Sequence, residues 1–215
     1  MSELRRQSPL EGFFSRGEES GTGTRGVTVT EHPFLGYVNL RGDVADVSFV
    51  DGARRVLGVE LPSSANTVIE TKGLIACWLG PDEWMAIVRP DGETEIIAAL
   101  REAMDSLRTA VTDTTGGYTM LNLSGDHARD LLAKGCTLDL HPRVFAPGQC
   151  AQTNLARTPV LLIPRTNDPD LQSFNVVVRR SFADHLAHWI EHSAREYRFD
   201  ASKGNWLRDC QSELI

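Results

Sequence analysis

Hydrophobic and polar residues alternate strictly in an early stretch of the chain, residues 27–30, which read VTVT. A period of two places successive side chains on opposite faces, so this stretch predicts a half-buried strand. A second strand is predicted at residues 34–40 and a helix at 45–57. Three further strands and a helix with apolar residues at helical spacing complete the first half; their predicted bounds are 67–71, 74–79, 84–88 and 93–107.

The same succession of patterns begins again after residue 109. Two strands are predicted at 110–114 and 119–123, followed by a short helix at 128–134. The closing helix is predicted to begin at Ser181, whose hydroxyl suits an N-cap, and to carry Phe182, Leu186, Trp189, Ile190 and Tyr197 on one face. Between the two helices lie three strands, predicted near 151–155, 160–163 and 174–178.

Three short matches indicate that the second half repeats the first. They pair GYVNLRGD with GYTMLNLSGD, ARRVL with ARDLL, and MAIVR with NVVVR, in the same order along the chain. Each half therefore predicts two strands, a helix, three strands and a helix. The predicted fold class is α+β, a pseudo-duplicated unit. Residues 27–109 and 110–198 form two similar halves of a single domain spanning 27–198, because neither set of helices covers its sheet alone.

The two ends of the chain differ from the predicted domain. Residues 1–26 are poor in apolar side chains, which predicts a mobile arm. Within this arm, residues 5–10 form a basic and apolar patch suited to a partner. Residues 199–215 predict a polar tail, in which large apolar residues such as Trp206 would either fold back on the core or be buried in another chain.

Composition excludes several classes of protein. The chain has 215 residues, 41% of them hydrophobic, and a formal net charge of −7, which argues against a nucleic-acid partner. No run approaches the roughly 18 apolar residues of a membrane helix, and no signal sequence is recognised. The four cysteines include no CxxC pair, so we expect a soluble cytoplasmic protein with reduced thiols, Cys77 being a lone buried one.

Patterns typical of catalytic sites have simpler structural explanations here. Residues 21–26 match GxGxxG but lack the preceding strand and following helix of a dinucleotide site. His188, Glu191 and His192 match H-x-x-E-H, with His185 nearby, yet a zinc site needs a further ligand and a cleft. Asp113 is the best candidate for a buried carboxylate, although capping of the following turn explains it better.

Four segments have an unusual sequence. Three of them, residues 39–43, 78–84 and 178–183, read NLRGD, WLGPDEW and VRRSFA, and residues 131–153 read LLAKGCTLDLHPRVFAPGQCAQT. Together with RRQSPL near the N-terminus, these segments resemble the gamma subunit of heterotetrameric sarcosine oxidase. The resemblance extends from residue 5 to about residue 197.

The resemblance implies a fold and a complex. The fold is similar to the folate-binding domain of glycine-cleavage aminomethyltransferases, itself a duplicated unit of two strands, a helix, three strands and a helix. The complex of this family oxidatively demethylates sarcosine to glycine, giving formaldehyde or methylenetetrahydrofolate and hydrogen peroxide. FAD, FMN, NAD and tetrahydrofolate are expected in the alpha and beta chains, and zinc in the delta chain. The gamma chain is expected to hold no cofactor.

We therefore expect a non-catalytic gamma subunit of an oxidoreductase complex, with alpha, beta and delta subunits as partners and alpha as the main contact. No residue of this chain is predicted to be catalytic, cofactor-binding or metal-binding. The predicted partner interface includes the loop at 138–153 and both ends of the chain: Arg6, Pro9, Leu10, His141, Arg143, Phe145, Gln149 and Trp206.

Other interpretations stay open at this point. One is a stand-alone folate-binding aminomethyltransferase-like protein, for which Asp113 is the obvious carboxylate. Another is a gamma subunit of a related N-methyl amine oxidoreductase, because close relatives act on other amines. A zinc hydrolase built on His188 and His192 is the weakest alternative.

Overall fold

The computed structural model describes residues 6–14, 26–166 and 172–204. A short helix, α1, spans Glu11–Phe14. The elements of the first half follow in chain order: β1 (Val27–His32), β2 (Gly36–Arg41), α2 (Val47–Leu57), β3 (Val68–Thr71), β4 (Leu74–Gly80), β5 (Glu83–Val88) and α3 (Glu93–Ala103).

The second half repeats this order. Its elements are β6 (Ala110–Asp113), β7 (Tyr118–Ser124), α4 (Ala128–Ala133), β8 (Ala151–Leu155), β9 (Thr158–Pro164), β10 (Ser173–Arg179) and α5 (Arg180–Ser193). A last strand, β11, spans Phe199–Lys203. The predicted α+β class, with two strands, a helix, three strands and a helix in each half, is confirmed.

The two halves exchange their first strands. Sheet 1 has the order β11-β1-β7-β10-β9-β8 and sheet 2 the order β3-β4-β5-β2-β6. The strand β1 of the first half therefore lies beside β7 of the second half, with Val29 opposite Leu123. In the same way β6 of the second half lies beside β2 of the first, with Leu40 opposite Val111. Neither half is a separate structural unit, a feature that the repeat in the sequence does not reveal.

The sheets pack face to face between two layers of helices. A central cluster that includes Tyr37, Ile87, Met120 and Val177 fills the space between the sheets. On the outer face of sheet 2, α2 and α3 cover a cluster around Phe49 and other apolar side chains. On the outer face of sheet 1, α4 and α5 cover a third cluster. Each sheet is thus covered by helices on its outer face and by the other sheet on its inner face, which gives four layers.

The closing helix differs in detail from its prediction. It begins at Arg180, and the N-cap position is taken by Arg179 without a side-chain hydrogen bond, so Ser181 is not the cap. The buried face carries Ala183, Leu186, Ala187 and Ile190, whereas Phe182 is 41% exposed. The small alanines allow α5 to approach the sheet closely, and periodicity weighted by large side chains misses them.

Both predicted arms contribute to the folded domain where the structure describes them. Residues 6–14 lie on sheet 1 with Leu10 and Phe13 in its outer core, so this part of the predicted mobile arm 1–26 is docked. In the predicted tail, β11 pairs in parallel with β1, Val27 opposite Phe199. The domain therefore exceeds its predicted bounds of 27–198 at both ends. Trp206 lies outside the described residues.

Candidate functional site

A carboxylate is fully buried where the N-terminal segment crosses sheet 1. Glu31, near the end of β1, is 0% exposed. The Ser8 hydroxyl donates to its Oε2 at 2.5 Å and the Thr119 hydroxyl to its Oε1 at 2.9 Å. Burial raises the pKa of Glu31, although these hydroxyl donors and the charges of Lys203 and Arg180 act in the opposite direction.

Further ion pairs and hydrogen bonds hold the N-terminal residues on either side of Ser8. Arg6 Nη1 lies 2.5 Å from Asp91 Oδ1, and Lys203 Nζ donates to Glu11 Oε2 at 2.7 Å. The Arg180 guanidinium also donates to the Gln7 carbonyl. Since the Ser8 and Thr119 hydroxyls donate to its two oxygens, Glu31 fastens residues 6–14 to sheet 1.

Sequence reasoning missed Glu31 and favoured Asp113. The strand pairing makes these two positions equivalent in the repeat, since Glu31 lies opposite Leu121 and Asp113 opposite Val38. Asp113 is exposed, and its Oδ1 accepts from the Thr115 backbone N–H at 2.9 Å, which is a turn cap. The signal for Glu31 was present, because alternation places it on the same buried face as Val27 and Val29.

The loop between α4 and β8, residues 134–150, is anchored at its middle and at its C-terminal end. At its end, Cys150 N–H donates to the Asn66 carbonyl at 2.8 Å, and Gly148 O accepts from Val68 N–H at 3.0 Å. At its middle, the Arg129 guanidinium donates to the Leu140 carbonyl. Leu140 and Phe145 are each 5% exposed and belong to the core of sheet 1. The loop is therefore a fixed feature of the surface.

The tip of this loop, residues 141–144, is exposed and internally braced. The His141 carbonyl accepts from the backbone N–H groups of Val144 at 2.8 Å and Phe145 at 2.9 Å. Arg143 N–H donates to His141 Nδ1 at 3.2 Å. The tip thus presents an imidazole, a guanidinium and the side chain of Val144, which is 54% exposed, on a defined turn.

The predicted interface residues that the structure describes belong to two separate segments of the chain. Arg6, Pro9 and Leu10 belong to the segment over β1, whereas the loop leads into β8, with three strands between them. Leu10 and Phe145 are buried in this chain's own core, so they support the surface instead of forming it. Arg6, His141 and Arg143 are exposed.

His188, one of the histidines of α5, lies against other groups of this chain. His188 Nδ1 lies 3.3 Å from Glu191 Oε2, and its ring meets that of Phe13 edge to face with centroids 5.3 Å apart. These neighbours are explained by packing of α1 on α5. Across residues 6–14, 26–166 and 172–204, no group of three or more His, Cys, Asp or Glu residues is placed to hold a metal ion.

The described part of the chain includes two clefts that are open to solvent. One, of about 500 Å³, is bounded by Arg41, Asp82 and Arg108 together with neighbouring loop residues. The other, of about 270 Å³, lies between the sheets, where the Arg179 guanidinium sits 5.8 Å from the centre of the Tyr118 ring. Asp113 lines neither of them. None of the helices in the described residues is long and apolar enough to cross a membrane.

The fold places the chain in a class of duplicated α+β proteins. Aminomethyltransferase T of the glycine cleavage system from Bartonella henselae superposes with a TM-score of 0.61 over 86% of this chain and 50% of that enzyme. The two sequences are 16% identical, so this likeness concerns the fold alone.

The sequence comparisons identify the family. The model of the sarcosine oxidase gamma subunit family matches residues 41–196. Sarcosine oxidase subunit gamma of Corynebacterium sp. (strain P-1) is 35% identical over 196 residues, which are 89% of this chain and 91% of the relative. The Arthrobacter sp. subunit is 33% identical over 193 residues, covering 89% and 91%. The chain belongs to the sarcosine oxidase gamma subunit family.

A solved structure agrees with this assignment. A chain of heterotetrameric sarcosine oxidase from Corynebacterium sp. U-96, in complex with pyrrole 2-carboxylate, matches with a TM-score of 0.80 and 30% identity. The match covers 90% of this chain and 96% of that chain. The resemblance seen in the sequence is thereby confirmed. The chain belongs to a family of subunits of an oxidoreductase complex.

Proposed function

We propose that this chain serves as the gamma subunit of a heterotetrameric sarcosine oxidase and supplies no catalytic group of its own. The match to a chain of such a tetramer over 96% of that chain's length supports assembly. The closed environment of Glu31 supports a structural role, because both oxygens of this buried carboxylate bind hydroxyls of the same chain. Sarcosine is the proposed substrate of the complex, demethylated to glycine with formaldehyde or methylenetetrahydrofolate and hydrogen peroxide.

In this proposal the cofactors belong to the partner subunits. FAD, FMN, NAD, tetrahydrofolate and zinc would be held by the alpha, beta and delta chains, and the complex would work in the cytoplasm. The alternative of a stand-alone folate-binding aminomethyltransferase loses its nominated carboxylate, because Asp113 caps a turn at the surface.

We also propose that the tip at residues 141–144 docks on the alpha chain. The observation that supports this is the internal hydrogen bonding of the tip. A rigid exposed turn loses little conformational freedom on association, so its contacts contribute more fully to affinity. Arginine is enriched at interfaces, where its planar group makes several hydrogen bonds. Arg143 beside the exposed Val144 therefore gives a small mixed surface that suits the alpha chain.

Charge reversal at the tip tests this role. We expect Arg143→Glu to weaken assembly of the complex by tenfold or more, about 1.4 kcal/mol in binding free energy, while the variant chain unfolds like the parent. The measurement is co-purification and titration of the chain against its partner subunits, with oxidase activity as a second readout. Arg55→Glu, a matched change at an exposed arginine of α2, should assemble normally.

Two outcomes would contradict the proposal. An Arg143→Glu chain that enters the complex with undiminished affinity would exclude the tip as a docking surface. Micromolar binding of tetrahydrofolate by the purified chain, with no association to oxidase subunits, would favour the aminomethyltransferase-like alternative.

A further inference from the structure

The smaller cleft opens between the two sheets, where β7 begins and β10 ends. Tyr118, the first residue of β7, lies opposite Arg179, the last residue of β10. Both residues line the cleft, whose volume is about 270 Å³, and Leu79 and Met85 line it from sheet 2. We call it the Arg179 cleft. Facing sheets are about 10 Å apart, so the space between them has the shape of a slot.

The floor of the Arg179 cleft is apolar and its rim is polar. Met85, Leu161 and Val177 line it and are 4%, 6% and 2% exposed. They belong to the central cluster between the sheets. At the rim Tyr118 is half-buried and Arg179 is exposed. A ligand that fits this cleft therefore has an apolar body and one polar end.

A hydrogen bond joins the two walls of the cleft. Gln152 of β8 donates from Nε2 to the Leu79 carbonyl of β4 at 2.8 Å. This contact holds the sheets at a fixed separation beside the cleft, so a ligand does not have to open it, and binding to a preformed site costs less free energy. The Gln152 carbonyl oxygen is left as a hydrogen-bond acceptor at the rim.

The positive charge of Arg179 is not neutralised within the described part of the chain. Its guanidinium lies 5.8 Å from the centre of the Tyr118 ring, a cation–π contact that orients the group and leaves its N–H donors available. No carboxylate of the described residues pairs with it, whereas Arg41 in the larger cleft pairs with Glu83 at 2.6 Å. Arg179 is also the one charged residue among the described residues that line the cleft.

We propose that the Arg179 cleft binds a small planar aromatic carboxylate. The carboxylate accepts two N–H hydrogen bonds from the guanidinium, the geometry in which arginine binds this group most strongly. The rings lie on the apolar floor, where their burial supplies most of the affinity. A volume just below the 300–1,000 Å³ of pockets for drug-sized ligands suits a body of roughly one or two rings.

This binding site is separate from the assembly role proposed above. Residues 141–144 do not line the Arg179 cleft, so Arg143→Glu should bind the ligand as the parent chain does. Failure of ligand binding would leave the assignment to the gamma subunit family untouched, and failure of assembly would leave the cleft untested by that result alone.

Titration of the full chain with 2-naphthoate tests the proposal. We expect isothermal titration calorimetry to give a Kd below about 1 mM, with 2-naphthamide, which has the same rings without the charge, binding at least tenfold more weakly. Added salt should weaken binding of the carboxylate and not of the amide.

Two variants separate the charge of Arg179 from other effects. Arg179→Met keeps an apolar stem of similar length and should weaken binding of 2-naphthoate at least tenfold, with little change for the amide. Arg108→Met is the matched control, because Arg108 is an exposed arginine that lines the larger cleft. This variant should bind as the parent does.

Methionine signals locate the ligand even if Arg179→Met folds poorly. In a chain with ¹³C-labelled methionine methyl groups, the ring current of 2-naphthoate should shift the signal of Met85, on the cleft floor. The signal of Met104, buried under α2 and α3 on the far side of sheet 2, should stay in place.

Three results would overturn the proposal. One is the absence of any shift of the Met85 signal at several millimolar 2-naphthoate. Another is equal affinity for the carboxylate and the amide, which would show that Arg179 contributes nothing to recognition. The third is binding that Arg108→Met weakens and Arg179→Met does not.

Discussion

Glu31 illustrates how a single charged residue is accommodated inside the molecule. Its carboxylate is removed from water, which disfavours the ionised form, and two hydroxyl donors offset only part of that cost. The side chain thereby joins residue 8 to the centre of sheet 1. The hydrogen bonds of Glu31 position residues 6–14, even though burial of its charge costs free energy.

The raised pKa of Glu31 predicts a pH dependence. A carboxyl whose pKa is higher in the folded state favours folding while it is protonated. That contribution is complete below the unfolded pKa and is lost as pH rises through the folded pKa. Glu31→Gln removes the charge and keeps a hydrogen-bonding amide. We therefore expect the stability of the variant relative to the parent to increase with pH above about 4.5.

Urea unfolding of the parent and of Glu31→Gln between pH 4.5 and 8 measures the difference in their free energies of unfolding. The effects of all other titrating groups cancel in this difference, because the two chains share them. Glu31→Ala is the informative companion, since it leaves two buried hydroxyls without their acceptor and should cost about 1–3 kcal/mol. A relative stability of Glu31→Gln that falls with pH would mean that the pKa of Glu31 is lowered in the fold.

At the scale of the element, the N-terminal segment is held by apolar burial more than by its charges. Leu10 is 0% exposed among the residues under α5. The ion pair of Arg6 with Asp91 is exposed, with 57% and 71% of the two side chains accessible. Burial of a leucine contributes far more than a solvated ion pair.

These two contributions can be separated by mutation. Leu10→Ala should lower the free energy of unfolding by about 2–4 kcal/mol, whereas Arg6→Ala should change it by less than about 1 kcal/mol. Chemical denaturation of the purified chain gives both values, and proteolysis near residue 10 should accelerate only in Leu10→Ala. Equal effects of the two changes would show that the segment is held electrostatically.

Most elements were predictable because their signals are local. Alternation marked β1, and apolar spacing marked α3, although α3 ends at Ala103 and not at residue 107. Docking of residues 6–14 was not predictable in this way. Only Leu10, Phe13 and Phe14 indicate an apolar face in that segment, and the helix that carries two of them contacts α5 and β11. The tip at 141–144 was located by its unusual sequence, while the burial of Phe145 required the structure.

At the scale of the molecule, the exchange of first strands makes the halves interdependent. The first half alone lacks β6 and leaves β1 without β7, and the second half alone lacks β1. Chains of residues 1–109 and 110–215 should therefore each fail to unfold cooperatively. When the two fragments are co-expressed, they should associate and show a single cooperative unfolding transition. Circular dichroism and size-exclusion chromatography check this, and a cooperative transition of either half alone would contradict it.

The sequence repeat predicted the order of elements but not this exchange. The repeat fixes which segments are alike, whereas the pairing of β1 with β7 joins residues about 90 positions apart. Two similar halves with independent sheets would have produced the same local patterns, so only the register in the structure distinguishes the two arrangements.

Placement of β1 also determines when the protein can be completed during its synthesis. This strand leaves the ribosome early, yet its neighbours are β7, made much later, and β11, which ends at Lys203. The nascent chain must therefore hold this apolar strand without its neighbour β7 until about 90 more residues have been made. Sheet 1 is complete only after β11 has also been made, so a partner that contacts β11 associates after that step.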